Sequence, residues 1–178
     1  MVLTLEPPAP AETAASFVLA LDRLQDPGNL GTLMRTALAA GVEALWLADG
    51  ADPLQPKVLR ASAGAALALP LLRLDAGALA ARLQRAAAAG AQVVATVVAE
   101  APGPDRRAPL PYWQLDWSRP TVLLLGNEGA GLAPELQALA TCRVIIPHSP
   151  AVESLNVAVA AAPLLLERWR QRLQAVGQ

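Results

Sequence analysis

Residues 16–48 read SFVLALDRLQDPGNLGTLMRTALAAGVEALWLA, and the change of pattern inside that stretch sets the fold class. Ser16 to Leu21 is a short apolar run that ends at Asp22, and Ala44 to Ala48 is another. Between them, Asp26 and Pro27 offer a cap and a pre-set first turn for a helix that ends at Gly41. Leu30, Leu33, Met34, Ala37 and Leu38 form its predicted buried stripe. The unit is strand, helix, strand.

The same alternation continues outward. Pro53 to Ala66 reads as a short helix and a small-residue turn, Leu67 to Leu74 as a strand, and Asp75 to Ala89 as an amphipathic helix closed by Gly90. Ala91 to Val98 (AQVVATVV) is apolar on both faces and β-branched, the pattern of a buried parallel strand. Glu100 to Arg119 reads as loop. Thr121 to Leu125 and Arg143 to Ile146 are predicted strands, with a helix from about Pro134 to Ala140 between them and a final helix over Ser154 to Val176. The expected fold is α/β, a mainly parallel sheet flanked by helices. In such sheets ligands gather at the carboxyl ends of the strands.

Composition narrows the function classes. With 178 residues, one domain over 16–178 is expected, preceded by a Pro-rich segment or linker remnant over 1–15. No apolar run reaches the roughly 20 residues that span a bilayer, and the N-terminus lacks a secretory pattern, so no membrane partner and a cytoplasmic location are expected. A single cysteine, Cys142, and a single histidine, His148, exclude an intrachain disulfide and a Cys/His metal cluster, so no metal is expected. The 14 basic and 15 acidic residues nearly cancel, which argues against binding nucleic acid by bulk charge. Thirteen of the basic residues are arginine, however, and arginine makes forked contacts to phosphate, so RNA binding stays open.

Three segments carry the chemistry. In LDRLQDPGNLGTLMRT (21–36) a strand meets a helix N-terminus, which presents free N–H groups and a positive dipole end, and Arg35 follows about a turn and a half later. The plain alternative is a strand-to-helix turn capped by Asp26 and Asn29, with Arg35 solvated. In LLLGNEGAGL (123–132) a buried strand opens onto Gly126, Gly129 and Gly131, with Asn127 and Glu128 among them; glycines let backbone groups approach a ligand closely. In IIPHSPAVESLNVAVAAA (145–162) a strand stops at Pro147, and Glu153, Ser154 and Asn156 precede a small-residue helix that Ser154 or Glu153 could simply cap.

Taken in order, NLGTLMRTA, LLGNEGAGL and IPHSPAVESLNVAVAAA resemble the three signature motifs of the SpoU (TrmH-like) RNA 2′-O-ribose methyltransferases of the SPOUT superfamily. The resemblance covers roughly residues 17 to 170, and KVLRASAGAALAL (57–69) shares in it. It implies a C-terminal deep trefoil knot, S-adenosyl-L-methionine as cofactor, and a homodimer in which the final helix, apolar from Val157 to Leu166, packs against the first-motif helix of its partner. It also implies a backbone cradle for the cofactor at Thr96, Gly126, Ile146 and Leu155, with Asn127 beside it. Arg35 is implied to engage the ribose 2′-hydroxyl, with Asn29, Glu128, Ser154 and Asn156 shaping the pocket. The form of the third motif is more similar to ribosomal RNA enzymes than to the shortest tRNA ones. A tRNA methyltransferase and a non-catalytic knotted RNA-binding module are the alternatives. A Rossmann-type nucleotide enzyme ranks below them, since DPGNLG lacks the glycine fingerprint. RNA specificity would rest on a further domain or on arginines such as Arg106, Arg107, Arg168, Arg170 and Arg172, which could equally be solvated.

Overall fold

The computed structural model describes residues 7–9, 15–98 and 108–176. Seven strands form one sheet in the order β3-β2-β1-β6-β4-β7-β5, and every strand pairs in parallel with its neighbours. The strands are β1 (Phe17–Asp22), β2 (Ala44–Ala48), β3 (Leu71–Leu74), β4 (Gln92–Thr96), β5 (Leu110–Pro111), β6 (Thr121–Leu125) and β7 (Cys142–Ile145). β1 and β6, at the centre, are buried at every position, as a parallel sheet covered on both faces requires.

Side chains alternate between the faces with the strand period of two. Leu19, Leu21, Leu45 and Leu47 pack towards the face that carries α1 (Pro27–Ala39), α2 (Pro56–Ser62), α3 (Ala65–Ala68) and α6 (Val157–Val176). Val18, Ala20, Trp46 and Val93 pack towards α4 (Ala76–Ala88) and α5 (Pro134–Ala138).

Several boundaries differ from the sequence reading. Leu38 is 41% exposed and leaves the predicted stripe of α1, while Gly31 joins the buried face. The reason is close packing on α2: a Cβ at Gly31 would lie 2.5 Å from that of Ala61 and 2.8 Å from the Val58 carbonyl oxygen. Part of the strand predicted over Leu67 to Leu74 is helical, and β3 begins at Leu71, just past Pro70, which has no N–H to give a ladder. The stretch read as loop before Arg119 contains β5 and a 3-10 turn, Tyr112–Gln114. Trp117 is fully buried there, its indole N–H donating to the Tyr112 carbonyl at 2.7 Å. The final helix starts at Val157, later than Ser154.

Arg168, read as a surface arginine, is buried. It stacks 4.5 Å from the Phe17 ring centroid, and its Nη2 reaches the Ser16 carbonyl and hydroxyl. Arg170 is held by Glu167 on its own helix, and Arg172 lies 5.8 Å from the Trp169 ring centroid. Arg106, Arg107 and most of residues 1–15 lie outside the described residues. Among the described residues no helix is long and apolar enough to cross a membrane.

Candidate functional site

Parallel strands deliver their following loops to one edge of the sheet, and here four of them meet. The ends of β4, β6 and β7 enclose a cavity of about 210 Å³, with the start of α6 as its far wall. The loop after β1 packs behind it.

The β6 loop is a tight hairpin in which Asn127 and Gly131 exchange both backbone hydrogen bonds at 3.0 Å. This hairpin folds directly over Gly126. A Cβ at that position would lie 2.2 Å from the Gly131 carbonyl carbon, so only glycine fits, and its bare backbone faces the cavity. The Asn127 side chain is engaged in building the hairpin. Its amide donates to the Arg23 carbonyl at 2.8 Å, and its oxygen accepts from the N–H groups of Gly129 and Ala130. Asn127 therefore shapes the wall by holding the hairpin closed.

Glu128 ties this hairpin to the loop after β1. Its carboxylate accepts from the N–H groups of Gln25 (3.2 Å) and Asp26 (3.0 Å) and from the Asn29 amide (3.1 Å). Partial burial pushes the Glu128 carboxyl up, but these bonds and one from its own backbone N–H outweigh that and hold it below the usual carboxylate value. The Asn29 oxygen in turn accepts from the Asn156 amide at 2.9 Å, and the Asn156 oxygen caps α6 by accepting from Ala158 and Val159. One hydrogen-bonded chain thus joins the three motif segments. Asp26 caps α1 through the Asn29 N–H at 2.7 Å; that bond, aided by Lys57 at 3.5 Å, lowers the Asp26 carboxyl.

The predicted site residues separate into three groups. Thr96, Gly126, Asn127, Glu128, Ile146, Ser154 and Leu155 line the cavity. Asn29 and Asn156 stand behind Glu128, and Asn156 caps α6 where Ser154 or Glu153 was expected to. Arg35 lies elsewhere: it is exposed on α1, does not line the cavity, and makes no hydrogen bond or ion pair among the described residues. Asn29 and Arg35 are six residues apart, roughly 240° round a helix of 3.6 residues per turn, so they cannot share a face.

Two residues went unread as site components. Asp22, at the end of β1 and 1% exposed, accepts from the Ala133 N–H at 3.0 Å and pairs with Arg23 at 2.9 Å, so it anchors the segment after the glycine hairpin. An acid closing an apolar strand was the available signal. His148 lines the cavity and places Nδ1 2.7 Å from the Ile146 carbonyl oxygen. Its sequence context gave no sign of this, because the contact is set by the turn after Pro147. Among the described residues no group of three His, Cys, Asp or Glu could hold a metal ion.

Comparison with known proteins places this geometry. Residues 16–166 match the model of the SpoU rRNA Methylase family. The chain is similar to the uncharacterized tRNA/rRNA methyltransferase slr1673 of Synechocystis, 47% identical over 162 residues, which are 90% of this chain and 56% of that protein. It is 38% identical over 152 residues to the 23S rRNA (guanosine(2553)-2′-O)-methyltransferase RlmP of Bacillus subtilis, covering 85% of this chain and 57% of the relative. The chain thus spans a little over half the length of these curated relatives. Among solved structures, the methyltransferase AviRb of Streptomyces viridochromogenes in complex with AdoMet superposes with a TM-score of 0.79 at 32% identity, over 94% of this chain and 66% of that one.

Proposed function

Because this chain belongs to the SpoU rRNA Methylase family, we propose that residues 16–178 form an S-adenosylmethionine-dependent methyltransferase domain that methylates a ribose 2′-hydroxyl in ribosomal RNA. The observation that carries the proposal is the meeting of all three motif segments at one cavity edge, held by the Glu128, Asn29 and Asn156 chain. The similarity to RlmP, a 23S rRNA enzyme by name, supports ribosomal RNA over tRNA.

The lining suits the cofactor. Leu125, Leu132 and Val157 supply apolar surface for a flat ring, Thr96 and Ser154 supply hydroxyls, and Gly126 leaves backbone uncovered where a Cβ cannot exist. S-adenosylmethionine, held by backbone groups at Thr96, Gly126, Ile146 and Leu155, supplies a methyl group on a sulfonium. The protein's part is to position the ribose hydroxyl in line and to manage one proton. β7 lies between β4 and β5, the strands joined by the 97–109 connection, and this insertion supports the trefoil threading that the family resemblance implies.

Arg35 acts, in this reading, at the site of a second copy. α1 and α6 pack on one face, α6 leaves Val159 62% and Leu166 49% exposed, and a homodimer through that face would bring the outward Arg35 to a partner's cavity. A guanidinium is a poor proton acceptor, so its role is to polarise the hydroxyl beside an RNA phosphate. The similarity to RlmP of Bacillus subtilis, a 23S rRNA enzyme by name, supports a cytoplasmic location in this reading.

Calorimetry with S-adenosylmethionine and S-adenosylhomocysteine tests the cofactor site, with micromolar binding expected. Transfer of labelled methyl to unmodified 23S rRNA transcript tests the activity. Binding without transfer to rRNA or tRNA would replace the enzyme by an RNA-binding module.

A further inference from the structure

We propose that His148 is a further catalytic residue, its Nε2 accepting the proton that leaves the ribose hydroxyl during methyl transfer; this rests on the methyltransferase reading above. The step balances without any other reagent. The hydroxyl oxygen forms a bond to the methyl carbon as the carbon–sulfur bond breaks, the sulfonium becomes a neutral thioether, and the hydroxyl proton passes to the imidazole and then to water.

The argument is one of elimination followed by geometry. Among the described residues, two titratable side chains line the cavity, Glu128 and His148. Both Glu128 oxygens already accept N–H donors from Gln25, Asp26 and Asn29, which favours the carboxylate and makes it a weak base. Arg35 is a guanidinium, and no other described residue of the cavity carries a basic group.

His148 is arranged for the task. A carbonyl oxygen only accepts, so the 2.7 Å contact with Ile146 puts the hydrogen on Nδ1 and leaves the Nε2 lone pair free. The ring is exposed on the cavity wall, so an incoming substrate can reach it. Pro147 and Pro150 flank His148 and Ser149, and the turn that follows is closed by the Val152 N–H on the Ser149 carbonyl at 3.2 Å. Among the described residues few charges surround it: Glu128 lines the same cavity from the β6 loop and Glu153 sits on its own loop, while Thr96 to Val98 at and after the end of β4 and Val157 to Ala160 at the start of α6 bring none. The Ile146 carbonyl that orients the ring also belongs to the proposed cofactor cradle, so acceptor and cofactor share one anchor.

Two substitutions test proton acceptance. His148→Asn and His148→Gln both replace the imidazole by an amide, which can still donate an N–H towards the Ile146 carbonyl but has no basic ring nitrogen. Both should bind S-adenosylhomocysteine within about threefold of the parent while losing roughly 100-fold in methyl transfer to 23S rRNA transcript, the lower end of general-base contributions. The parent's rate should depend on pH in a way that both variants lose. Parent-like rates and pH profile in His148→Asn would overturn the proposal, and so would loss of transfer explained wholly by weaker cofactor binding. Because His148 is the only histidine, its imidazole proton resonances provide a readout independent of turnover. They should shift on adding S-adenosylhomocysteine. An unperturbed ring would refute a place at the reacting centre even if no RNA were methylated, whereas a shifted ring beside an inactive parent would point to failure of the substrate assignment alone.

Discussion

At the residue scale, the site depends on single atoms in fixed places. Glu128 holds two backbone N–H groups and one amide from another loop, and its folded-state value lies below the ordinary one. A lowered carboxyl contributes stability that is present above the unfolded value, about 4.3, and is lost as pH falls through the folded value. Glu128→Gln should therefore lower the unfolding free energy by about 1 kcal/mol near neutral pH, the net worth of an exposed hydrogen bond, with the gap to the parent closing in urea titrations below about pH 4. An unchanged gap across that range would count against the carboxylate as the clamp. Gly126→Ala is harsher, because the added methyl meets backbone on the hairpin and not a side chain that can swing aside. It should cost about 1–3 kcal/mol and abolish S-adenosylhomocysteine binding by calorimetry.

At the element scale, α6 is attached at both ends. Asn156 caps its start and links it to α1 through Asn29, and near its other end Gln171 bonds the Trp117 N–H and the Leu115 carbonyl. Arg168 lies between, its Nε buried without a hydrogen-bond partner, while Nη2 reaches Ser16 at 3.3–3.4 Å. Burial lowers the Arg168 guanidinium, as does its like-charged neighbour Arg172, with Glu43 only partly opposing. The side chain thus holds α6 by filling space over Phe17 more than by its charge. Arg168→Ala should cost about 2–5 kcal/mol in urea unfolding, the range of large-to-small core substitutions. Arg168→Met, which keeps the volume, should cost less than half as much; equal losses would show the charge to be the anchor. Sequence reading placed this arginine at the surface because residue type alone predicts exposure, and only the packing of α6 on β1 buries it.

At the scale of the whole molecule, the face carrying α1 and α6 has Leu38, Val159, Leu166 and Leu173 exposed between 41% and 62%. Isolated apolar side chains need no partner, but two packed helices that share this many invite one. Val159→Glu should convert the proposed dimer to a monomer by sedimentation and, since Arg35 would no longer reach a partner's cavity, suppress methyl transfer while cofactor binding persists. A monomeric parent that transfers methyl groups at full rate would sink the shared-site reading.

What the sequence determined by itself was local and periodic. The strand runs, the helix cap at Asp26, and the three motif strings were legible because they depend on patterns within a few neighbours, and the order of the motifs identified the family. The order of the strands, the insertion of β7 beside β4, the burial of Arg168 and Trp117, and the position of Arg35 away from its own cavity were decided only in three dimensions. So was the contact that turns His148 towards the Ile146 carbonyl. These depend on which distant segments meet, and a contact between residues 103 positions apart, such as Glu128 with Gln25, leaves no mark in either segment alone.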